Sequence, residues 1–288
     1  MKQDYKYIKV ERDEGVVLFT LASDPQRYNP WFIPMMEELT VALDIATADP
    51  DDRVFVFTGA GENFSAGGDV PASAGVPRPE PIWMKRGPRG ERGLWTAPTM
   101  TVEERMQNIG LSGWRIHMQV YNSNKPTIAA VNGMAAGAGC DLSLACDLRI
   151  AAQDTRFCQV YVRRALPTMD GGAYWAPFHL PHAIAMHMLL TGDVLTAQDA
   201  YRFGLVNQIV DDKSDLLPTT MELAKRLAHG PSLTHQMVKH MVRQLHMTKF
   251  PEHRELIGRA SRWLSETQDH EEGTKSFMEK RAPMWQGR

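Results

Sequence analysis

Two runs that are apolar or uncharged at nearly every position, residues 53–58 (RVFVFT) and 127–131 (TIAAV), each break off into a cluster of small residues. The first continues as Gly59-Ala60-Gly61 and then Asn63-Phe64-Ser65-Ala66-Gly67-Gly68-Asp69. The second continues as Asn132-Gly133-Met134-Ala135-Ala136-Gly137-Ala138-Gly139-Cys140-Asp141 and opens a helix. Runs of this kind, without the alternation of a half-exposed strand, read as strands buried on both faces. Parallel strands need crossovers, usually helices, and the chain provides them. A hairpin is expected over 8–12 and 16–21, turning at Asp13-Glu14-Gly15, then a helix from about residue 33 to 48. Helical spacing over 102–121 precedes the second strand, a small-residue turn spans 133–139, and a further strand is expected over 147–152. Beyond residue 196 the chain reads as helices over 196–203, 214–228, 231–248 and 251–267. The class is therefore α/β, with a core over residues 1–205 and a helical region over 206–288. The long apolar faces of that region need either the core or another subunit to cover them.

Composition narrows the function. The chain has 288 residues, 43% of them apolar and 23% charged, with a net charge of −2. These are values of a globular chain, without the basic excess of a surface built for nucleic acid. No stretch approaches the 18 apolar residues of a membrane span, and the N-terminus carries no apolar signal segment. Three cysteines, Cys140, Cys146 and Cys158, are odd in number and lack zinc-like spacing, which points to a reduced, cytoplasmic protein.

Several motifs are missing. There is no G-x-S-x-G nucleophile elbow and no Walker loop, and Gly59-Ala60-Gly61 lacks the third glycine of a dinucleotide fingerprint. His179, His182 and His187 have no E-x-x-H partner, so they read as packing or surface histidines and no metal is expected. What remains is the pair of small-residue turns. Small residues at a strand end let backbone approach a ligand closely, and amides at a helix N-terminus favour developing negative charge. Two such turns facing one another would offer two N–H donors to one oxygen, an oxyanion hole.

The order of these segments resembles the enoyl-CoA hydratase/isomerase (crotonase) superfamily. Pro25, Arg27 and Asn29 resemble its early P-x-x-x-N segment, residues 54–69 its strand and oxyanion loop, and residues 125–147 its most specific stretch. Phe157-x-Gln159 with Gly171-Gly172 as one active-site segment, residues 190–210 and residues 277–285 (FMEKRAPMW) complete six ordered matches. The resemblance implies a spiral of ββα turns with a C-terminal helical oligomerisation region, forming trimers or dimers of trimers. It implies an acyl-CoA substrate bound as its thioester and an enolate held by the backbone N–H groups of Ala66 and Ala138. No cofactor is implied beyond the CoA of the substrate itself. Arg27, Gly67, Gly68, Asp69 and Gly137 would lie against the substrate, and Lys280 and Arg281 would reach CoA phosphates.

The chain departs from the family at the acid/base positions. Two glutamates serve the hydratases; here those positions hold Asp141 and Tyr161. Hydration needs one group to activate water and another to deliver a proton, and a phenol with an ordinary pKa near 10 is a poor base. Asp170, ahead of Gly171-Gly172, resembles an aspartate that other members use, so Asp170, Asp141 and Tyr161 are the catalytic candidates. Plainer roles are open to each: a helix-start charge for Asp141, an N-cap for Asp170, an acyl-pocket wall for Tyr161. Three functions compete: a hydratase/isomerase, a hydrolase cleaving a C–C bond of a cyclic or β-keto acyl-CoA, and a non-catalytic acyl-CoA-binding subunit. Finally, six prolines fall within residues 71–98. A loop over 70–100 is expected to cover the acyl pocket, with Trp83 and Trp95 shaping it.

Overall fold

The computed structural model describes residues 4–69, 111–164, 170–244 and 266–288, together with Leu166, Thr168 and Trp263. The chain opens with a hairpin, β1 (Ile8–Asp13) and β2 (Val16–Leu21), followed by α1 (Ile33–Ala48) and β3 (Val54–Gly59). After α2 (Leu111–Asn122) come β4 (Thr127–Val131), the short β5 (Met134–Ala136), α3 (Ala138–Ala145) and β6 (Leu148–Ala152). Then follow β7 (Arg156–Cys158), α4 (Gly172–His179), α5 (His182–Thr191), β8 (Val194–Thr196), α6 (Ala197–Arg202) and β9 (Gln208–Val210). The described chain ends with α7 (Leu216–Ala228), α8 (Ser232–Gln244) and α9 (Gln268–Glu279).

Six strands form one sheet in the order β1-β2-β3-β4-β6-β9, antiparallel at the hairpin and parallel from β2 onward. Every residue of β3 and β4 is buried, as their unbroken apolar runs require. Their side chains alternate between two cores. Phe55, Phe57, Ala129 and Val131 pack with Met35 and Leu39 of α1 and Ile116 of α2. Val54, Val56, Ile128 and Ala130 pack with Ala224 and Ala228 of α7. A smaller sheet, β5-β7-β8, lies beyond the ends of β4 and β6 and carries the turns of interest.

Two expectations are corrected. The segment 133–139 is not one uninterrupted turn, because residues 134–136 form β5, pairing with β7 in register Ala135 to Phe157. The region after residue 205 is not all helical, since β9 pairs with β6 and completes the core sheet. A three-residue strand leaves too short a pattern to be read as period two. The helix α9 was not anticipated either; its sequence, QDHEEGTKSFME, has few apolar residues to reveal a face. The expected helix 251–267 and the N-terminal part of 102–121 lie outside the described residues, apart from Trp263, Glu266 and Thr267.

Polar side chains, all with backbone partners, fix how the elements meet. Arg149 is buried in β6 and donates to the carbonyls of Ser143 (3.0 Å), Cys146 (2.8 Å) and Leu205 (2.6 Å), tying the end of α3 to the approach of β9. Asp147 accepts from the N–H and hydroxyl of Thr127 and pairs with Lys239 of α8, anchoring the turn ahead of β6. Asn132 closes the strand ends: its Oδ1 accepts from the Gly59 N–H (3.1 Å), and its Nδ2 donates to the carbonyls of Gly59 (2.9 Å) and Gly61 (2.8 Å). An Asn132→Ala chain would leave buried backbone groups without partners, each costing roughly 1–3 kcal/mol. Urea unfolding of that variant is expected to show a loss of about 2–4 kcal/mol with an unchanged m-value.

Candidate active site

The two small-residue turns lie edge to edge. Ser65 and Ala135 form an isolated parallel bridge: the Ser65 N–H donates to the Met134 carbonyl (2.9 Å) and the Ala136 N–H to the Ser65 carbonyl (2.8 Å). A second bridge joins Trp31 to Gly68, made by the Trp31 N–H on Gly67 O (2.8 Å) and the Asp69 N–H on Trp31 O (2.9 Å). Asn29 and Asn63 complete the frame: Asn29 Nδ2 donates to Asn63 O (2.8 Å), and Asn63 Oδ1 accepts from the Met134 N–H (2.8 Å). Gly67 has φ +83°, and a Cβ there would lie 2.6 Å from Ala136 O and 3.2 Å from the Ala138 nitrogen. Only glycine lets the first turn close on the second.

This frame decides which amides are open. The Ala66 N–H, expected as an oxyanion donor, donates to the Tyr28 carbonyl at 2.7 Å and is not available. The parallel bridge uses the groups on either side of Gly68, so the N–H of Gly68 itself points the other way. Among the described residues, none lies within 4 Å of a Cβ placed on Gly68. The second expected donor, Ala138, is the first residue of α3, where backbone N–H groups have no partner within the helix. The pair of amides at the junction is thus Gly68 and Ala138. The alternation of direction that frees residue 68 rather than 66 depends on pairing with Trp31, which no local motif announces.

The three candidate acid/base residues meet. The Tyr161 hydroxyl lies 2.8 Å from Asp170 Oδ2 and 3.0 Å from Asp141 Oδ2. Gln159 Nε2 donates to Asp141 Oδ1 at 2.6 Å. Tyr161 stands in a 3-10 turn after β7, and its Cζ lies 3.7 Å from a Cβ placed on Gly137, which puts the ring against the second turn. Gly172 makes the cluster possible, since a Cβ there would collide with Asp141 Oδ1 and lie 2.8 Å from Gln159 Oε1. Asp170 is not a helix cap; α4 is capped by Gly171 without a side-chain bond, and the Ala173 N–H is taken by the Thr168 hydroxyl. Nor is Tyr161 a purely apolar wall.

Burial sets the electrostatics. Asp141 is 0% exposed and Asp170 9% exposed. Desolvation pushes the Asp141 carboxyl up from 3.8 to about 6, against the opposing pull of His117 and of hydrogen bonds from Gln159 and Tyr161. Burial and the two carboxyls raise the Tyr161 phenol well above its usual 10. His117 was not a sequence candidate. It is fully buried on α2, its ring stacked on Trp31 (5.1 Å) and Trp175 (6.0 Å), and its Nε2 donates to Ala138 O at 2.8 Å. It therefore spans from the Trp31 bridge that holds the first turn to the helix opening the second.

Other expected contacts fall differently. Arg27 pairs with Asp69 at 2.5 Å on the rim of the first turn. Arg281 is occupied by Glu272 (2.6 and 2.9 Å) and Glu279 (2.6 Å), closing the C-terminal turn, while Lys280 beside it is exposed. A CoA phosphate contact from Arg281 would have to break that pairing. Trp83, Trp95 and the 70–100 loop lie outside the described residues. Among the described residues, no group of three His, Cys, Asp or Glu side chains is placed to hold a metal, and no helix is long and apolar enough to cross a membrane.

Comparison with known proteins gives the same outline. The enoyl-CoA hydratase/isomerase family pattern matches residues 97–288. The chain is 33% identical over 245 residues to a carnitinyl-CoA dehydratase of Salmonella typhi, covering 83% of this chain and 84% of that one. It is 31% identical over 274 residues to the (E)-benzylidenesuccinyl-CoA hydratase of Thauera aromatica, covering 94% and 96%. The crystal structure of an enoyl-CoA hydratase from Bacillus anthracis superposes with TM-score 0.81 at 26% identity, over 98% of this chain and all of that one.

Asp141 gives the site a measurable signature. Its folded-state pKa is raised, so it favours folding below the ordinary value of 3.8, and that advantage is lost as pH rises through about 6. Asp141→Asn has no such group. Between about pH 4 and pH 7, wild-type stability is expected to fall relative to Asp141→Asn by up to roughly 3 kcal/mol, read by urea unfolding at each pH. A pH-independent difference would place the charge elsewhere.

Proposed function

The chain belongs to the enoyl-CoA hydratase/isomerase family, and on that premise we propose that it adds water across an α,β-unsaturated acyl-CoA thioester through an enolate. The observation that carries the reading is the junction of the two turns. There the free amides of Gly68 and Ala138 lie beside the Asp170–Tyr161–Asp141 cluster. The thioester oxygen sits between the two N–H donors, where preorganised dipoles stabilise the enolate as its charge develops. The N-terminus of α3 adds its field to the same oxygen. Asp170, the carboxyl nearest solvent, takes the proton of the attacking water. The chemistry draws on backbone amides and side-chain carboxyls, and CoA enters as part of the substrate.

A second reading has one observation in its favour. The hydratase glutamate of the second position is a tyrosine here, and hydrolytic cleavage of a C–C bond in a cyclic or β-keto acyl-CoA also passes through a thioester enolate. A panel of enoyl-CoA and β-keto acyl-CoA thioesters with mass-spectrometric detection separates the two: hydration adds 18 mass units to an enoyl-CoA, whereas C–C hydrolysis consumes the β-keto thioesters, giving two fragments from an open-chain one and a ring-opened product from a cyclic one.

The acting unit is proposed to be a homotrimer or a dimer of trimers in the cytoplasm, where the three buried free cysteines stay reduced. Val238 and Val242 on α8 are half exposed beside a cavity of about 330 Å³ that is lined also by Tyr121 and Phe178, an apolar surface suited to self-association. Sedimentation equilibrium is expected to give three or six times the chain mass of 32.4 kDa, and a monomer would exclude the assembly.

Asp170→Asn is expected to lower kcat by roughly 100-fold or more while thioester binding, followed by calorimetry, changes little. Unchanged turnover would remove Asp170 from the chemistry.

A further inference from the structure

We infer that Tyr161 carries a proton between a buried store on Asp141 and the outward carboxyl of Asp170, and so stands in for the second carboxylate of a hydratase site. The shared proton rests on geometry; its use in turnover rests on the hydration reading above.

A phenol has one O–H to donate, and ionised carboxylates only accept. The Tyr161 oxygen nevertheless lies within hydrogen-bond distance of two carboxyls, at 2.8 and 3.0 Å. Were both ionised, one close contact would have no hydrogen in it, and two like charges would flank one buried oxygen. A single added proton satisfies both contacts: the acid donates to the phenol oxygen, and the phenol donates to the other carboxylate. Asp141 is the side that holds it. Asp141 has no contact with solvent, and its Oδ1 already accepts from Gln159, leaving Oδ2 to carry the proton toward Tyr161. The charge of the pair then falls on Asp170, the less buried of the two at 9% exposed. The ionisable groups facing Asp141 are His117 from α2, Tyr161 from the turn after β7 and Asp170 ahead of α4, with Cys140 next to it on its own helix.

The proton then has a balanced route. Water attacks the β-carbon and gives one proton to Asp170. The Tyr161 O–H breaks as the α-carbon–hydrogen bond forms, while the Asp141 proton passes to the phenol oxygen. Afterwards the proton on Asp170 moves to Tyr161 as the Tyr161 proton returns to Asp141. One water is consumed, no proton is left over, and no free phenolate has to persist in a setting that opposes it. Tyr161 is the catalytic residue in this scheme, since it touches the α-carbon; Asp141 acts only through it.

The test starts with the protein free of any thioester. Infrared difference spectra from about pH 4 to about pH 8 are expected to contain the C=O stretch of a protonated carboxyl that outlasts ordinary carboxyls by more than one pH unit. That band should vanish in Asp141→Asn, remain in Asp170→Asn, and shift in frequency in Tyr161→Phe, where the acid loses its acceptor. A band that survives Asp141→Asn, or that is unmoved in Tyr161→Phe, overturns the shared proton. With an enoyl-CoA substrate, Tyr161→Phe is expected to lower kcat by about 100-fold with KM within about twofold. Unchanged kcat overturns the carrier role even where the band shifts. A wild-type protein that hydrates no enoyl-CoA defeats the hydration reading instead, and the ligand-free spectra decide the shared proton without it.

Discussion

The site depends on two hydrogen bonds between backbone segments some seventy residues apart, those that join Ser65 to Met134 and Ala136. Among the described residues they are the ladder contact that joins the two turns, and the larger sheet makes it possible. Parallel pairing of β3 with β4 delivers both strand ends on the same side, in register Phe57 to Ala129, so each chain leaves the sheet at one level. Side chains of Asn29, Asn63 and Asn132 then take up the backbone groups that the sheet abandons. Buried backbone without a partner costs as much as a lost hydrogen bond, so these asparagines keep an irregular junction inside a folded core. For the proposed oxyanion hole a rigid junction matters, because such a hole works through donors fixed before charge develops.

His117 shows the same economy with one side chain. It lies on α2, stacks on Trp31 and donates to Ala138 O. Trp31 in turn holds Gly67 and Asp69 through its backbone. Movement of either turn would therefore disturb a stacked pair of rings and a buried hydrogen bond together. Coupling of this kind makes several weak contacts act as one constraint.

Much of this was legible in the residues, and the remainder has definite physical reasons for being hidden. Buried strands, the hairpin and the small-residue turns follow from apolar runs and from Gly, which encode local backbone preference directly. The meeting of Asp141, Tyr161 and Asp170 could be suspected from position, but their contact depends on Gly172 leaving room, a fact of packing across 31 residues of chain. The choice of Gly68 over Ala66 depends on a bridge to Trp31, and the pairing of Arg281 with Glu272 on a fold-back of the last residues. The strands β5, β8 and β9 have three residues each, too few to display a period. Local pattern thus reveals elements, whereas the assignment of a donor or a proton needs the partner to be known.

Replacing a glutamate by a tyrosine need not disable such a site, because the number of protons matters more than the number of carboxyls. Two ionised carboxylates held against one oxygen in a buried cluster repel, and one of them is driven to hold a proton. A phenol between them changes the arrangement from repulsion to a chain in which every contact contains a hydrogen. It also separates the duties by depth. The wholly buried carboxyl is shielded from solvent exchange and suits storage, whereas the less buried Asp170 is the one water can reach. Tyrosine is long enough to span that depth, and its oxygen both donates and accepts, which a carboxylate cannot do without first taking up a proton. In the proposed hydration, the acid and base then differ by position along one hydrogen-bonded chain, rather than by residue type.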